Sequence, residues 1–274
     1  MMQLYYEASD GTVIDFMSGP LAAQNPEALA NNHWDYTALE NLGRIKNFYK
    51  DIQESELTLQ VFADDADQFN ETMANMHKVF DRDVRRMSPG KLWWNDYYKE
   101  VFISETSHES FEELMEYVEK TLHIVSVWPY WMKKTTTHYT RQIQVLGTLD
   151  YPFDYAFDYG QTDFPETITN DSIDSANFEI TFFGPCINPS VTIARHTYVL
   201  YTQMIDGEYA VINSSTKKIT KYSKIGRAEN IFYLRGRSDY IFEPIPEGTS
   251  SLIRSKALAV DVTLVDERGE PPWI

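Results

Sequence analysis

The sequence predicts a mainly β protein carrying one substantial helix. Three observations carry that reading. Aromatic residues make up 14% of the 274-residue chain, with 18 Tyr and 15 Phe, and broad rings suit a pleated surface. A single stretch, residues 66–87, has clear helical periodicity. Beyond residue 139 no convincing helix follows. About ten short strand-like runs appear there instead, separated by turn residues at the spacing of an antiparallel β-sandwich.

The chain opens with alternation over Gln3–Glu7, a turn signal at Ser9-Asp10-Gly11, and alternation again over Thr12–Phe16. Residues 18–35, rich in Gly, Pro, Asn and Ala, read as loop. ELTLQVFA (56–63) reads as a strand with Leu57, Leu59 and Val61 on one face. In the helix that follows, Phe69, Met73, Met76, Phe80 and Val84 form one apolar stripe, expected to pack against a sheet. Asp64, Asp65 and Asp67 at its start and Arg82, Arg85 and Arg86 at its end complement the helix dipole, and Ser88-Pro89-Gly90 stops it. KLWW, the turn Asn95-Asp96 and YYKEVFIS then form a hairpin. Residues 107–128 are ambiguous. Phe111, Leu114, Met115 and Val118 have helical spacing, Ser110 and Glu113 match a capping box, and Thr121–Trp128 turns strand-like. WPYWMKKTTTHY (128–139) reads as a domain boundary, with Pro129 breaking the strand.

In the second half the expected strands lie in RQIQVLG, YPFDYAFDY, NFEITFF, PSVTIAR, YVLYTQ, EYAVINS, KKITKY, NIFYLR, DYIFEPI and KALAVDVTLVD. Residues 204–223, MIDGEYAVINSSTKKITKYS, read as a hairpin around Asn213-Ser214-Ser215-Thr216. Tyr209, Val211 and Asn213 point to one face and Ala210 and Ile212 to the other.

Composition narrows the function. Net charge is −17, which disfavours wrapping a nucleic-acid backbone. Cys186 is the only cysteine, so no intrachain disulfide can form, as expected of a reducing compartment. The start of the chain shows no signal-peptide pattern, and no run approaches the roughly 20 apolar residues of a membrane helix.

The chemistry-bearing motifs are absent. There is no GxxxxGK[ST] or GxGxxG to cradle phosphate, and Gly226 and Gly236 read as isolated turn glycines. Histidines 33, 77, 108, 123, 138 and 196 are scattered without zinc-ligand spacing. His77 and Asp81, one helical turn apart, read as a surface contact, and Asp64–Asp67 lacks the glycine pivot of a calcium loop. No GxSxG elbow exists, and Cys186 reads as a small buried thiol. YPFDYAFDYGQTDF sets Asp154, Asp158 and Asp163 among Tyr151, Phe153, Tyr155, Phe157 and Tyr159, an interleaving able to hold sugars. An aromatic strand with solvent-facing acids is the plainer account. No catalytic, cofactor or metal residue is assigned, and no cofactor is expected.

Taken in order, several pieces resemble one family. FFGPCINPSVTI presents Gly184 and Pro185, and GEYAVINSSTKKIT presents Gly207-Glu208-Tyr209. ENIFYLRGRSDYIFEPIPEGTSSL presents Asn230, Phe232, Phe242 and Ile245-Pro246-Glu247-Gly248, and ALAVDVTLVDERGEPPW follows. DRDVRRMSPGKLWWNDYYKEVFI and WPYW match in the first half. The ordered set resembles the distal tail (Dit) proteins of siphophages, the long-tailed, non-contractile phages, that infect Gram-positive hosts.

The resemblance implies a ring-forming, β-sandwich-like N-terminal domain (1–134) with a helix at about 65–86, and a galectin-like antiparallel β-sandwich (139–274). It implies a structural virion protein at the tail tip, not an enzyme, assembled in the host cytoplasm. Its expected partners are five further copies in a six-fold ring, the tail tube protein, the tail-tip hub and, in some phages, receptor-binding proteins. DNA would pass through the bore without specific binding, and no membrane is involved. The alternatives are a carbohydrate-binding module that stacks sugars on Tyr151–Phe164 or on Trp93 and Trp94, and a glycoside hydrolase using a pair among Asp154, Asp158 and Glu179.

Overall fold

The computed structural model describes residues 2–39, 43–63, 65–108, 117–142 and 166–272. The first strands are β1 (Leu4–Glu7), β2 (Val13–Asp15), β3 (Leu21–Ala23), β4 (Asp35–Leu39), β5 (Arg44–Tyr49) and β6 (Gln53–Phe62). Helix α1 (Ala66–Arg85) precedes β7 (Gly90–Trp94), β8 (Tyr97–His108), β9 (Tyr117–Ser126) and β10 (Trp131–Tyr139). Then come β11 (Glu166–Asn170), β12 (Asn177–Phe183), β13 (Cys186–Ile187), β14 (Ser190–Ile193), β15 (His196–Val199) and β16 (Gln203–Met204). The last are β17 (Tyr209–Asn213), β18 (Lys218–Tyr222), β19 (Ala228–Asn230), β20 (Gly248–Arg254) and β21 (Ala259–Arg268). The chain divides into two compact units. One comprises Met1–Lys133 with Glu267–Ile274, the other Lys134–Asp266.

In the first unit an antiparallel sheet runs β2-β1-β7-β8-β9-β6-β3. Alternation dictates its core face. Leu57, Leu59 and Val61 of β6 and Leu122 and Ile124 of β9 are buried, and α1 covers them with Met76, Val79 and Phe80. The helix begins where the Asp65 carboxylate accepts a hydrogen bond from the Gln68 N–H at 2.8 Å, satisfying one orphan amide. It ends in a Schellman motif. Ser88 N–H reaches Asp83 O and Met87 N–H reaches Val84 O, both at 3.1 Å, with Met87 in the left-handed region at φ 50°.

The apolar stripe is corrected at its last turn. Val84 is exposed and Asp83 is fully buried in its place. A period of 3.6 carries the buried line from Met76 and Phe80 to position 83, so Val84 has rotated past the contact. The Asp83 carboxylate accepts from Tyr6 Oη at 2.7 Å, from Ser9 Oγ at 2.5 Å and from Ser9 N at 3.2 Å, so the buried acid pins the helix to the sheet. Burial and this acceptor together raise the Tyr6 phenol above its ordinary range. Gly90 is strand rather than stop signal, and a Cβ there would overlap the Tyr6 ring.

The second unit is a two-sheet sandwich. One sheet runs β19-β18-β17-β12-β21, the other β11-β20-β14-β15. Phe178, Ile180 and Phe182 of β12, Ala210 and Ile212 of β17, and Val260 and Val262 of β21 share one core with Ile168, Leu252, Val191, Ile193 and Tyr198 of the other sheet. The hairpin at 204–223 is β17–β18, paired from Tyr209↔Tyr222 to Asn213↔Lys218, and its Ala210–Ile212 face is the buried one. In its turn, buried Ser214 Oγ accepts from Phe178 N at 2.7 Å and donates to Asn177 Oδ1 at 3.0 Å.

Several expectations are corrected. Residues 18–35 contain β3 and a 3-10 turn at Pro26–Ala30. Val118 lies in strand β9, while Phe111, Leu114, Met115 and the Ser110–Glu113 pair lie outside the described residues. Most of the 128–139 segment, Trp131–Tyr139, is strand β10, where Thr136 and Thr263 hydroxyls meet at 2.8 Å. NIFYLR is a 3-10 turn at Phe232–Leu234, because Asn230 Oδ1 accepts from Phe232 N at 3.0 Å and bends the chain. DYIFEPI is irregular apart from a bridge between Ile245 and Ala176. Gly236 is a close-approach glycine, since a Cβ would strike Val199. Residues 143–147 of RQIQVLG and all of YPFDYAFDY lie outside the described residues.

Candidate interaction surface

Strands β4 and β5 form a two-stranded hairpin that pairs with no other strand among the described residues. The pairing runs from Asp35↔Tyr49 to Leu39↔Arg44 with an irregularity at Thr37/Ala38. Every residue but Asp35 is exposed. An isolated hairpin is marginally stable in water, yet this one displays Tyr36 at 60%, Phe48 at 53% and Ile45 at 53% exposure. Tyr36 and Phe48 meet across the strands at 6.2 Å between ring centroids, which adds some cross-strand support.

The base of the hairpin is an aromatic and cationic stack. Lys50, directly after β5, places its ammonium 5.2 Å from the Trp34 ring centroid and 4.9 Å from that of Tyr130. It donates to Asn32 Oδ1 and, at 3.4 Å, to Pro129 O. Trp128 packs on Tyr130 at 5.5 Å. Burial lowers the Lys50 pKa and Glu270 opposes that shift. Below it, buried Lys99 donates to Gln53 Oε1 at 2.9 Å and lies 4.9 Å from the Trp131 ring. Burial, with a smaller push from Lys50, brings Lys99 down to about 7. Trp34, Ile52, Val127 and Trp128 are exposed as well. Large exposed apolar patches are where interaction sites are found.

Among the described residues, the side chains singled out in the sequence are engaged in packing and structural hydrogen bonds. Trp94 is fully buried, and Trp93 lies against Tyr5 and Tyr98 while donating to Glu7 Oε2 at 2.7 Å. Trp94 therefore offers no sugar-stacking face, because it faces the core on a period-2 strand. Glu179 accepts from Lys134 at 2.8 Å and Asn213 at 2.9 Å, leaving it a structural acceptor. Asp154, Asp158, Asp163 and the whole Tyr151–Phe164 stretch lie outside the described residues. Cys186 is half-buried rather than enclosed, and burial raises its thiol pKa. Asp81 pairs with Arg85 at 3.2 Å, not with His77. Among the described residues no cluster of three His, Cys, Asp or Glu side chains has metal-binding geometry. No helix there is long and apolar enough to cross a membrane.

One arrangement that sequence spacing does not reveal is Ser104, His123 and Glu54 on three adjacent strands. Ser104 Oγ lies 3.0 Å from His123 Nδ1, and Glu54 Oε2 lies 3.6 Å from Nε2. Glu54 and His123, but not Ser104, border an open groove of about 440 Å³ that Asn25, Asn31, Gln53 and Glu56 also line. A nucleophile–base pair needs a carboxylate held firmly enough to orient the imidazole. Glu54 is solvent-exposed and beyond hydrogen-bond distance, so the trio works as a surface contact at the bulge of β8.

Comparison with known proteins adds a whole-chain result. No protein-family model and no curated protein matches the chain. Among solved structures, the chain is similar to the SPP1 Dit protein, described as a hub of the adsorption apparatus in phages that infect Gram-positive hosts. The TM-score is 0.58 at 9% identity over 97% of this chain and 99% of that one. It is similar to a chain of the phage P2 baseplate in its activated conformation with Ca, at TM-score 0.60 and 12% identity over 99% and 100%. The corresponding structure with Sr gives 0.61 and 13% over the same shares. End to end, then, the chain has the fold of phage distal tail and baseplate proteins.

Proposed function

We propose that this chain is a structural virion protein of a phage tail tip, working through interfaces with copies of itself. The observation that carries the reading is the β4–β5 hairpin: it exposes Tyr36, Leu39, Ile45, Phe48 and Tyr49, pairs with no other strand among the described residues, and belongs to a chain with a whole-length distal tail fold. A closed ring buries such a surface at every joint without leaving a growing end. The proposed ring is six-fold and joins the tail tube to the tail-tip hub. Residues 1–134 would contribute the ring, and the sandwich from about 139 onward would be the part that carries receptor-binding proteins. Assembly would occur in the host cytoplasm. The net charge of −17 supports an acidic bore that repels passing DNA.

Size-exclusion chromatography with light scattering and negative-stain microscopy test this reading. The expected result is a ring for the native chain and a monomer of unchanged melting temperature for the double variant Ile45→Glu, Phe48→Glu. A native chain that stays monomeric at high concentration, or a double variant that still forms rings, overturns the role of the hairpin.

A further inference from the structure

Three loops of the second unit converge on one end of the sandwich. The β14–β15 turn brings His196, whose Nε2 donates to Tyr240 O at 2.8 Å. The β17–β18 turn brings Lys217, whose ammonium lies 5.7 Å from the Tyr240 ring centroid and 5.5 Å from that of Phe242. Residues 231–243 supply the rings. Phe232 and Phe242 stack at 6.0 Å, and Tyr240 meets Phe242 edge-on at 5.9 Å. The Arg235 guanidinium lies 3.9 Å over Phe232, and its Nη1 donates to Phe232 O at 3.0 Å. The result is a continuous strip from Arg235 through Phe232, Phe242 and Tyr240 to Lys217, with Tyr240 and Tyr233 more than half exposed.

The charge of this strip runs against the chain. The protein has 41 acidic and 24 basic residues, yet Lys217 and Arg235, with Arg195 and Arg237 on the same loops, make no ion pair among the described residues. Asp239 and Glu243 are the acids of the 231–243 segment. A second copy of the chain or an acidic protein would need the cations alone. Cations held over rings and beside exposed ring faces fit a ligand that presents flat C–H surfaces and anions in alternation.

We infer that this end of the second unit binds an anionic glycan, a polysaccharide bearing carboxylate or phosphodiester groups. Sugar rings lie on the exposed rings of Tyr240 and Tyr233, Phe232 backs the Arg235 guanidinium, and Lys217 and Arg235 pair with the anions. Arginine suits this position because its planar fork matches oxyanions while its face stays on the ring. The strip belongs to the second unit and the β4–β5 hairpin to the first, so each can be altered without touching the other.

Binding of the full chain to polygalacturonate, phosphomannan, neutral dextran and polyglutamate, measured by calorimetry at low salt, tests the inference. The expected result is binding to one or both anionic glycans and neither control, with the preferred one naming the anion. Lys217→Gln with Arg235→Gln, and separately Tyr240→Ala, should each weaken binding by about ten-fold or more. Tyr240→Phe should retain it, and an unchanged melting temperature certifies the fold. Binding to polyglutamate as tight as to the glycans, or a Tyr240→Ala variant with native affinity, reduces the strip to a charge patch and overturns the inference. So does the absence of glycan binding. The monomeric Ile45→Glu, Phe48→Glu chain should bind as the native chain does, which keeps this outcome distinct from that of ring formation.

Discussion

Two hairpins of similar size meet opposite fates in this molecule. In β17–β18 alternate residues enter a core, with Ala210, Ile212 and Ile219 fully buried and Ser214 tying the turn to Asn177 and Phe178. In β4–β5 the side chains of both faces are exposed, and order comes from one cross-strand ring pair and a lysine stack at the base. Backbone pairing is the same in kind. What differs is where the apolar area goes, and burial, not pairing, supplies most of the free energy that fixes a strand. The first hairpin is stabilised by its own chain. The second leaves its apolar side chains exposed among the described residues.

The sharpest test compares one truncation in each. Ile212→Ala should cost about 2–5 kcal/mol by emptying a packed site, read as a lower denaturant midpoint for the second unit. Phe48→Ala should leave monomer stability within about 0.5 kcal/mol while weakening self-association. A large stability loss from Phe48→Ala would show that the hairpin has a partner within its own chain.

The base of the exposed hairpin should respond to pH. Lys99 has a pKa near 7 when folded and near 10.4 when unfolded. Below about pH 7 the folded state carries the full cost of a buried charge. As pH rises from there, the unfolded chain holds more protons and stability increases, by up to about 1.4 kcal/mol per unit. The window closes near pH 10, where the raised Tyr6 and Tyr139 phenols reverse the trend. Chemical denaturation between pH 7 and 9.5 should show the rise, and Lys99→Met should flatten it.

A smaller gain is expected from Lys120 on β9. Its ammonium is buried with no hydrogen-bond partner among the described residues, and burial lowers its pKa. Lys120→Met should stabilise the first unit by about 1–3 kcal/mol, measured as a higher melting temperature. No gain would mean that another chain group supplies a counter-charge.

The smallest effect separates the two turns. The residue just before each return strand is left-handed, Gly43 at φ 58° and Lys217 at φ 55°. Lys217→Gly should stabilise the buried hairpin by about 0.5–1 kcal/mol, and Gly43→Ala should raise the exchange rate of amides in the exposed one.

These contrasts explain what could be read from residue order. Leu57, Leu59 and Val61, the helix, and the 204–223 hairpin were legible because each sends a periodic apolar face into a core. The β4–β5 hairpin leaves no such trace, since Tyr36, Ile45 and Phe48 bury nothing within the chain. Asp83 and Lys120 sit at core-facing positions where pattern alone expects an apolar residue. The strip on the second unit escaped notice for another reason. His196, Lys217 and the 235–240 segment are distant in sequence, and only the folding of three loops brings them together.

The order of the chain through its two units has a further consequence. The chain leaves the first unit at Lys133, builds the second, and returns at Glu267, and Thr136 and Thr263 touch near the two ends of the excursion. The sandwich is therefore a cassette with neighbouring ends. Another module with a similar gap between its termini could replace it while the flanking segments continued to fold together, so a lineage could change what this protein displays and keep how it is mounted.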